Sequence, residues 1–182
     1  MDQLERLRGD LSFVRDAVDA STRSKSPPAI YFVWAVIAGT GFALFDLRAD
    51  LVPTYWAVAG PAGFLVSAYI GWRHARRVGQ ASTGDGRRHM LHWGAALLAV
   101  ALAVYLGVSN AFPSNALHAV ILLVLALSYL TAGVHLDRFY LWVGLLMAAG
   151  SIVVTVVSTY AWTALGIALA VSLLAAGIRQ GR

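Results

Sequence analysis

The sequence contains no cysteine, which excludes disulfides, thiolate metal sites and thiol chemistry. Charge is scarce: Asp, Glu, Lys and Arg make up 13% of the 182 residues, against about 25% in ordinary soluble domains. The charges also avoid six long apolar stretches, none of which holds an Asp, Glu, Lys or Arg. That absence speaks against ion-coupled transport, which usually keeps an ionisable group at mid-depth in the bilayer. Enzyme signatures are missing as well. There is no P-loop, no GxSxG and no HExxH, and "GQASTGDG" lacks the GK[ST] ending of a phosphate-cradling loop. A non-enzymatic protein is therefore expected. No cleavable signal peptide is visible, because the first 28 residues are polar and the first apolar run comes too late.

What the chain has in abundance is apolar surface, at 59% of residues. A soluble globule of this size could not hide it, since much of any folded surface must face water. A bilayer removes that constraint. One span needs about 20 mainly apolar residues, and six stretches qualify. They run from Ala29 to Phe45, Val52 to Trp72, Met90 to Ser109, Ala116 to Val134, Phe139 to Val157 and Trp162 to Ile178. Unbroken apolarity without a period of two predicts helices rather than barrel strands. The expected fold is an all-α integral membrane protein. It has a transmembrane domain of six helices over 29–182, preceded by a cytoplasmic amphipathic helix and linker over 1–28.

The basic residues orient this bundle. With the N-terminus inside, the inner segments hold Arg6, Arg8, Arg15, Arg23, Lys25, Arg73, Arg76, Arg77, Arg87, Arg88, Arg138, Arg179 and Arg182, which is 13 of the 14. Only Arg48 falls outside. Lys and Arg resist translocation, so the expected location is the plasma (inner) membrane with both termini cytoplasmic. Because the basic residues sit between spans, nucleic acid is not an expected partner despite the net charge of +5. Residues 73–89 read as a mobile cytoplasmic loop, flexible by composition around "GQASTGDG". Its Arg73, Arg76, Arg77, Arg87 and Arg88 are expected to contact anionic lipid.

In the N-terminal segment, Leu4, Leu7, Leu11, Val14 and Val18 follow a 3, 4, 3, 4 spacing that puts them on one helical face. That face suits the inner side of the bundle, a second copy or a partner protein. Five acids balanced by five bases make it a poor match for anionic lipid.

Several residues could carry chemistry. His74, His89, His92 and His135 gather at the cytoplasmic boundary, and His89 and His92 share a helical face if the third helix starts early. Imidazoles there suit a metal or haem, although amphipathic side chains also collect at interfaces without any ligand. His118 lies near the outer face. "DLRAD" at 46–50 reads as a solvated turn with local pairing, or else a substrate gate. In span two, Gly60, Pro61 and Gly63 suggest a helix break that lines a substrate path, with packing as the simpler reading. Ser128, Thr155 and neighbouring hydroxyls suggest a polar path in spans four to six, although such groups often bond to their own helix. Ala35/Gly39, Gly144/Ala148 and Gly166/Ala170 predict close helix contacts, within the bundle or between protomers.

These features point first to a small polytopic membrane protein. It would assemble as a homo-oligomer or with a membrane-protein partner, through its N-terminal helix and basic loop. A small-solute transporter or channel is the second reading. A haem- or metal-binding protein using His89, His92 and His135 is the third.

Overall fold

A computed structural model describes residues 27–77, 83–111, 116–157 and 159–181. The expected N-terminal helix, with Leu4, Leu7, Leu11, Val14 and Val18, lies outside the described residues. Six α-helices follow in order: α1 (Pro28–Leu47), α2 (Val52–Arg77), α3 (Thr83–Val108), α4 (Leu117–His135), α5 (Phe139–Val156) and α6 (Ala161–Gly181). A short 3₁₀ turn, Ala49–Leu51, joins α1 to α2. All six helices are long and apolar enough to cross a bilayer, and no strand occurs among the described residues. The architecture is that of a polytopic membrane protein.

Most apolar side chains on the outer faces are exposed, with Val58, Leu65, Val134 and Ile152 each at least 65% accessible. For a helix in lipid that exposure costs nothing, so association must come from close packing and interhelical hydrogen bonds. The helices meet accordingly. Four of them, α1, α4, α5 and α6, share the central core of Phe42, Leu122, Ala126, Val143, Met147, Leu165 and Leu169. The closest pairs are α1 with α6 and α4 with α5, while α2 leans on α1 and α3 on α4.

Small residues create both close pairs. A Cβ on Gly166 would stand 2.8 Å from Phe42 Cβ and 3.2 Å from the Gly39 carbonyl oxygen, and one on Gly39 would stand 3.3 Å from Ala170 Cβ. Thus Ala35/Gly39 of α1 and Gly166/Ala170 of α6, predicted as contact pairs, meet each other. Gly144 opens the second pair, where a Cβ would lie 2.7 Å from the Leu130 backbone nitrogen. Polar ties supplement α1 and α2: Trp34 Nε1 donates to Ser67 Oγ at 3.0 Å, and Tyr55 Oη donates to the Ile37 carbonyl at 2.9 Å.

The ends follow turn chemistry. α3 stops where Asn110 adopts a left-handed conformation (φ 58°), with Ala111 N–H bonded to Leu106 O and Asn110 N–H to Gly107 O. This is a Schellman closure, and Asn is among the few non-glycine residues that enter that region readily. Between α4 and α5, Asp137 Oδ1 accepts the Phe139 N–H at 2.8 Å, an aspartate turn that opens the next helix.

One expectation needs correction. Within the span 73–89, residues 73–77 and 83–89 are helical and not loop. α2 continues to Arg77 and α3 begins at Thr83, so Arg73, Arg76, Arg77, Arg87 and Arg88 all sit on helix ends. The helical hydrogen-bond ladder does not stop where the apolar run stops, and Arg is itself a good helix former.

Candidate functional site at the basic end of the bundle

α2, α4 and α6 end, and α1, α3 and α5 begin, at one end of the bundle. Contacts between Tyr31 and Phe139 and between His92 and His135 tie that end together. Here lie Arg73, Arg76, Arg77, Arg87, Arg88, Arg138 and Arg179, all exposed and none in an ion pair among the described residues. Arg76 rests over the Trp72 ring at 4.2 Å, a cation–π contact. At the opposite end Arg48 pairs with Asp50 through two 3.0 Å bonds, as the local reading of "DLRAD" expects.

Beneath the arginines lies a continuous polar and aromatic layer. Gln180 Nε2 donates to Tyr31 Oη at 2.9 Å. The Tyr31 ring meets Phe139 edge-on at 5.7 Å. Phe139 neighbours Tyr140, which touches Tyr129 and Trp93. Trp93 packs edge-on against His92 at 5.0 Å. His92 then reaches two groups on α4: its Nε2 lies 3.0 Å from the Ser128 carbonyl oxygen and its Nδ1 lies 3.3 Å from His135 Nε2.

The Ser128 carbonyl can only accept, so it fixes the His92 tautomer with a proton on Nε2 and leaves Nδ1 bare. The same carbonyl accepts the Thr131 hydroxyl at 2.9 Å. His92 is therefore held in one orientation by a backbone group that cannot move without the helix. His135, by contrast, is exposed.

No protein-family model, curated protein or solved structure matches this chain.

The predicted site residues divide accordingly. His92 and His135 are brought together; His89 stands one helical turn from His92 on the same face of α3, and His74 is exposed near the end of α2. Among the described residues no group of three His, Cys, Asp or Glu is placed to hold a metal ion. The remaining polar candidates do not converge. α2 runs unbroken through Pro61, which is exposed, while Gly63 faces α1 and receives Ile37 and Trp34. Ser128, Ser151 and Thr155 each donate to a carbonyl of their own helix three or four residues back.

Sequence reasoning missed Trp93 and Tyr140, whose roles depend on which helices are neighbours. The reading of "DLRAD" as a solvated turn needs correction at Asp46. That carboxylate does not belong to the solvated turn; its Oδ2 accepts the backbone N–H and the hydroxyl of Thr163 on α6, each at 2.7 Å. His118 lies against the same corner, edge-on to Phe45 at 4.9 Å and to Trp162 at 6.2 Å.

Proposed function

We propose that this chain is a non-enzymatic integral membrane protein that assembles with a second copy of itself or with a partner protein through its basic end. The contacts would be the segment 1–28 and the arginine-bearing ends of α2 and α3. In this reading the basic end is cytoplasmic, the membrane is the plasma (inner) membrane, and Arg73, Arg76, Arg77, Arg87 and Arg88 also hold anionic headgroups. Each guanidinium near an anionic surface contributes about 1 kcal/mol.

The observation that carries the reading is the set of exposed arginines without an ion pair among the described residues, gathered at the end where segment 1–28 joins α1. Positive charge gathered at one end attracts an acidic surface or an anionic lipid, and it favours that encounter at long range.

The test is assembly of the full chain in nanodiscs containing anionic lipid. Native mass spectrometry and affinity co-purification should report oligomers or a stoichiometric partner. Both should be lost when residues 1–24 are deleted, and weakened when Arg76, Arg77, Arg87 and Arg88 become Gln. A strictly monomeric, partner-free protein before and after deletion overturns the reading.

A further inference from the structure

We propose that His92 Nδ1 and His135 Nε2 form a two-histidine site for a divalent transition-metal ion of the zinc class at the basic end of the bundle. Three geometric facts support it. The first is the separation of 3.3 Å between the two nitrogens. Two imidazoles on one tetrahedral zinc, with bonds of about 2.0–2.1 Å, hold their nitrogens about 3.3 Å apart and their ring centres about 5 Å apart.

The second fact is the 5.0 Å between the ring centres. A straight N–H···N hydrogen bond of the same length would push the centres to about 5.6 Å, because each ring would point directly at the other. The shorter distance means that the arrangement is bent, as it is when two lone pairs converge on a point between them. The rings are also inclined by 73°, so they do not stack.

The third fact is the Ser128 carbonyl on the far side of His92. Metal-bound histidines commonly donate their second N–H to a carbonyl or carboxylate, which fixes the tautomer and makes the ligating nitrogen more basic. His92 has that partner already. Its Nδ1 is bare without any change of protonation, and His135 needs only to carry its proton on Nδ1. Binding to the neutral pair therefore releases no net proton.

The ion class follows from the donors. Two neutral imidazoles suit zinc, copper, nickel or iron(II) better than calcium or magnesium, which prefer oxygen. Because no third described His, Cys, Asp or Glu completes the set, two coordination positions stay open to water or a small anion. His89 lies one turn away on the same face of α3. Exposure of His135 gives the ion a route from solvent. This inference is independent of the assembly reading, since it concerns one chain.

The experiment uses full-length, tag-free protein in nanodiscs, stripped with chelator and titrated with zinc by calorimetry. Cobalt(II) absorption gives a second readout of coordination geometry. The expected result is one zinc per chain and a tetrahedral-type cobalt spectrum. His135→Ala, at an exposed position, and His92→Ala should each weaken zinc binding by about tenfold or more, while His74→Ala leaves it unchanged. Zinc binding that is absent from the wild type, or unaltered by both His92→Ala and His135→Ala, overturns the proposal and leaves a hydrogen-bonded pair only.

Discussion

Asp46, at the end of α1, caps the start of α6: its Oδ2 accepts both the Thr163 N–H and the Thr163 hydroxyl. The two residues are 117 positions apart in sequence. The first turn of a helix leaves backbone N–H groups without partners, and a carboxylate there also meets the positive end of the helix dipole. Here the cap comes from another helix instead of the residue preceding α6. That residue, Tyr160, holds a left-handed φ of 53°.

Removing this cap should cost stability. Asp46→Ala is expected to destabilise the bundle by about 1 kcal/mol, and Thr163→Val by less, because it keeps the backbone bond. The double variant should be less destabilised than the sum of the two single variants, because the residues share one interaction. Thermal unfolding of all three in detergent checks this. Additive effects would mean that the hydroxyl–carboxylate bond contributes nothing in solution.

The glycines divide by what surrounds them. Gly166→Leu should disrupt the α1–α6 contact and destabilise by about 1–3 kcal/mol or more, since even a Cβ meets Phe42 at 2.8 Å. Gly60→Ala should be neutral or slightly stabilising, because nothing lies within 4 Å of the added carbon and alanine favours a helix. Unfolding midpoints of the two variants measure the difference. Equal effects would contradict the assigned helix pairing.

Hydroxyl groups divide in the same way. Ser67→Ala removes an interhelical bond from Trp34 and should cost about 0.6 kcal/mol. Thr155→Val removes only a bond to the carbonyl of Ile152 in the same helix and should be close to neutral. If Thr155→Val is the more damaging of the two, the hydroxyl has a role that these contacts do not account for.

Orientation is open to direct measurement, because the natural sequence has no cysteine and any introduced thiol is unique. Gly86→Cys lies at the basic end and Ser109→Cys at the other, both exposed. With the basic end cytoplasmic, a membrane-impermeant maleimide should label Ser109→Cys in intact cells and Gly86→Cys only after lysis. The reverse pattern would invert the topology.

Much of this fold is legible in the sequence. Six runs without Asp, Glu, Lys or Arg specify six helices, because only a helix satisfies its own backbone in lipid. The observed helices differ from the expected ones mainly by extension at their polar ends, where the ladder continues past the apolar run. Small-residue pairs such as Ala35/Gly39 and Gly166/Ala170 are also readable as contact surfaces. The site is less so. His92 is recognisable near a boundary, yet its partner is His135 on α4 rather than His89 on its own helix.

What the sequence alone determined is therefore the presence of six apolar helices and the end at which the arginines gather, since each follows from local composition and the solvent it requires. Tertiary structure decided which helices touch. Lipid gives no preference among equally apolar faces, so the choice falls to shape: which glycine admits which side chain. The pairing of α1 with α6 sets Asp46 on Thr163, and the pairing of α3 with α4 sets His92 between Ser128 and His135. Neither relationship is visible in a linear pattern, because each joins residues through space and not through period.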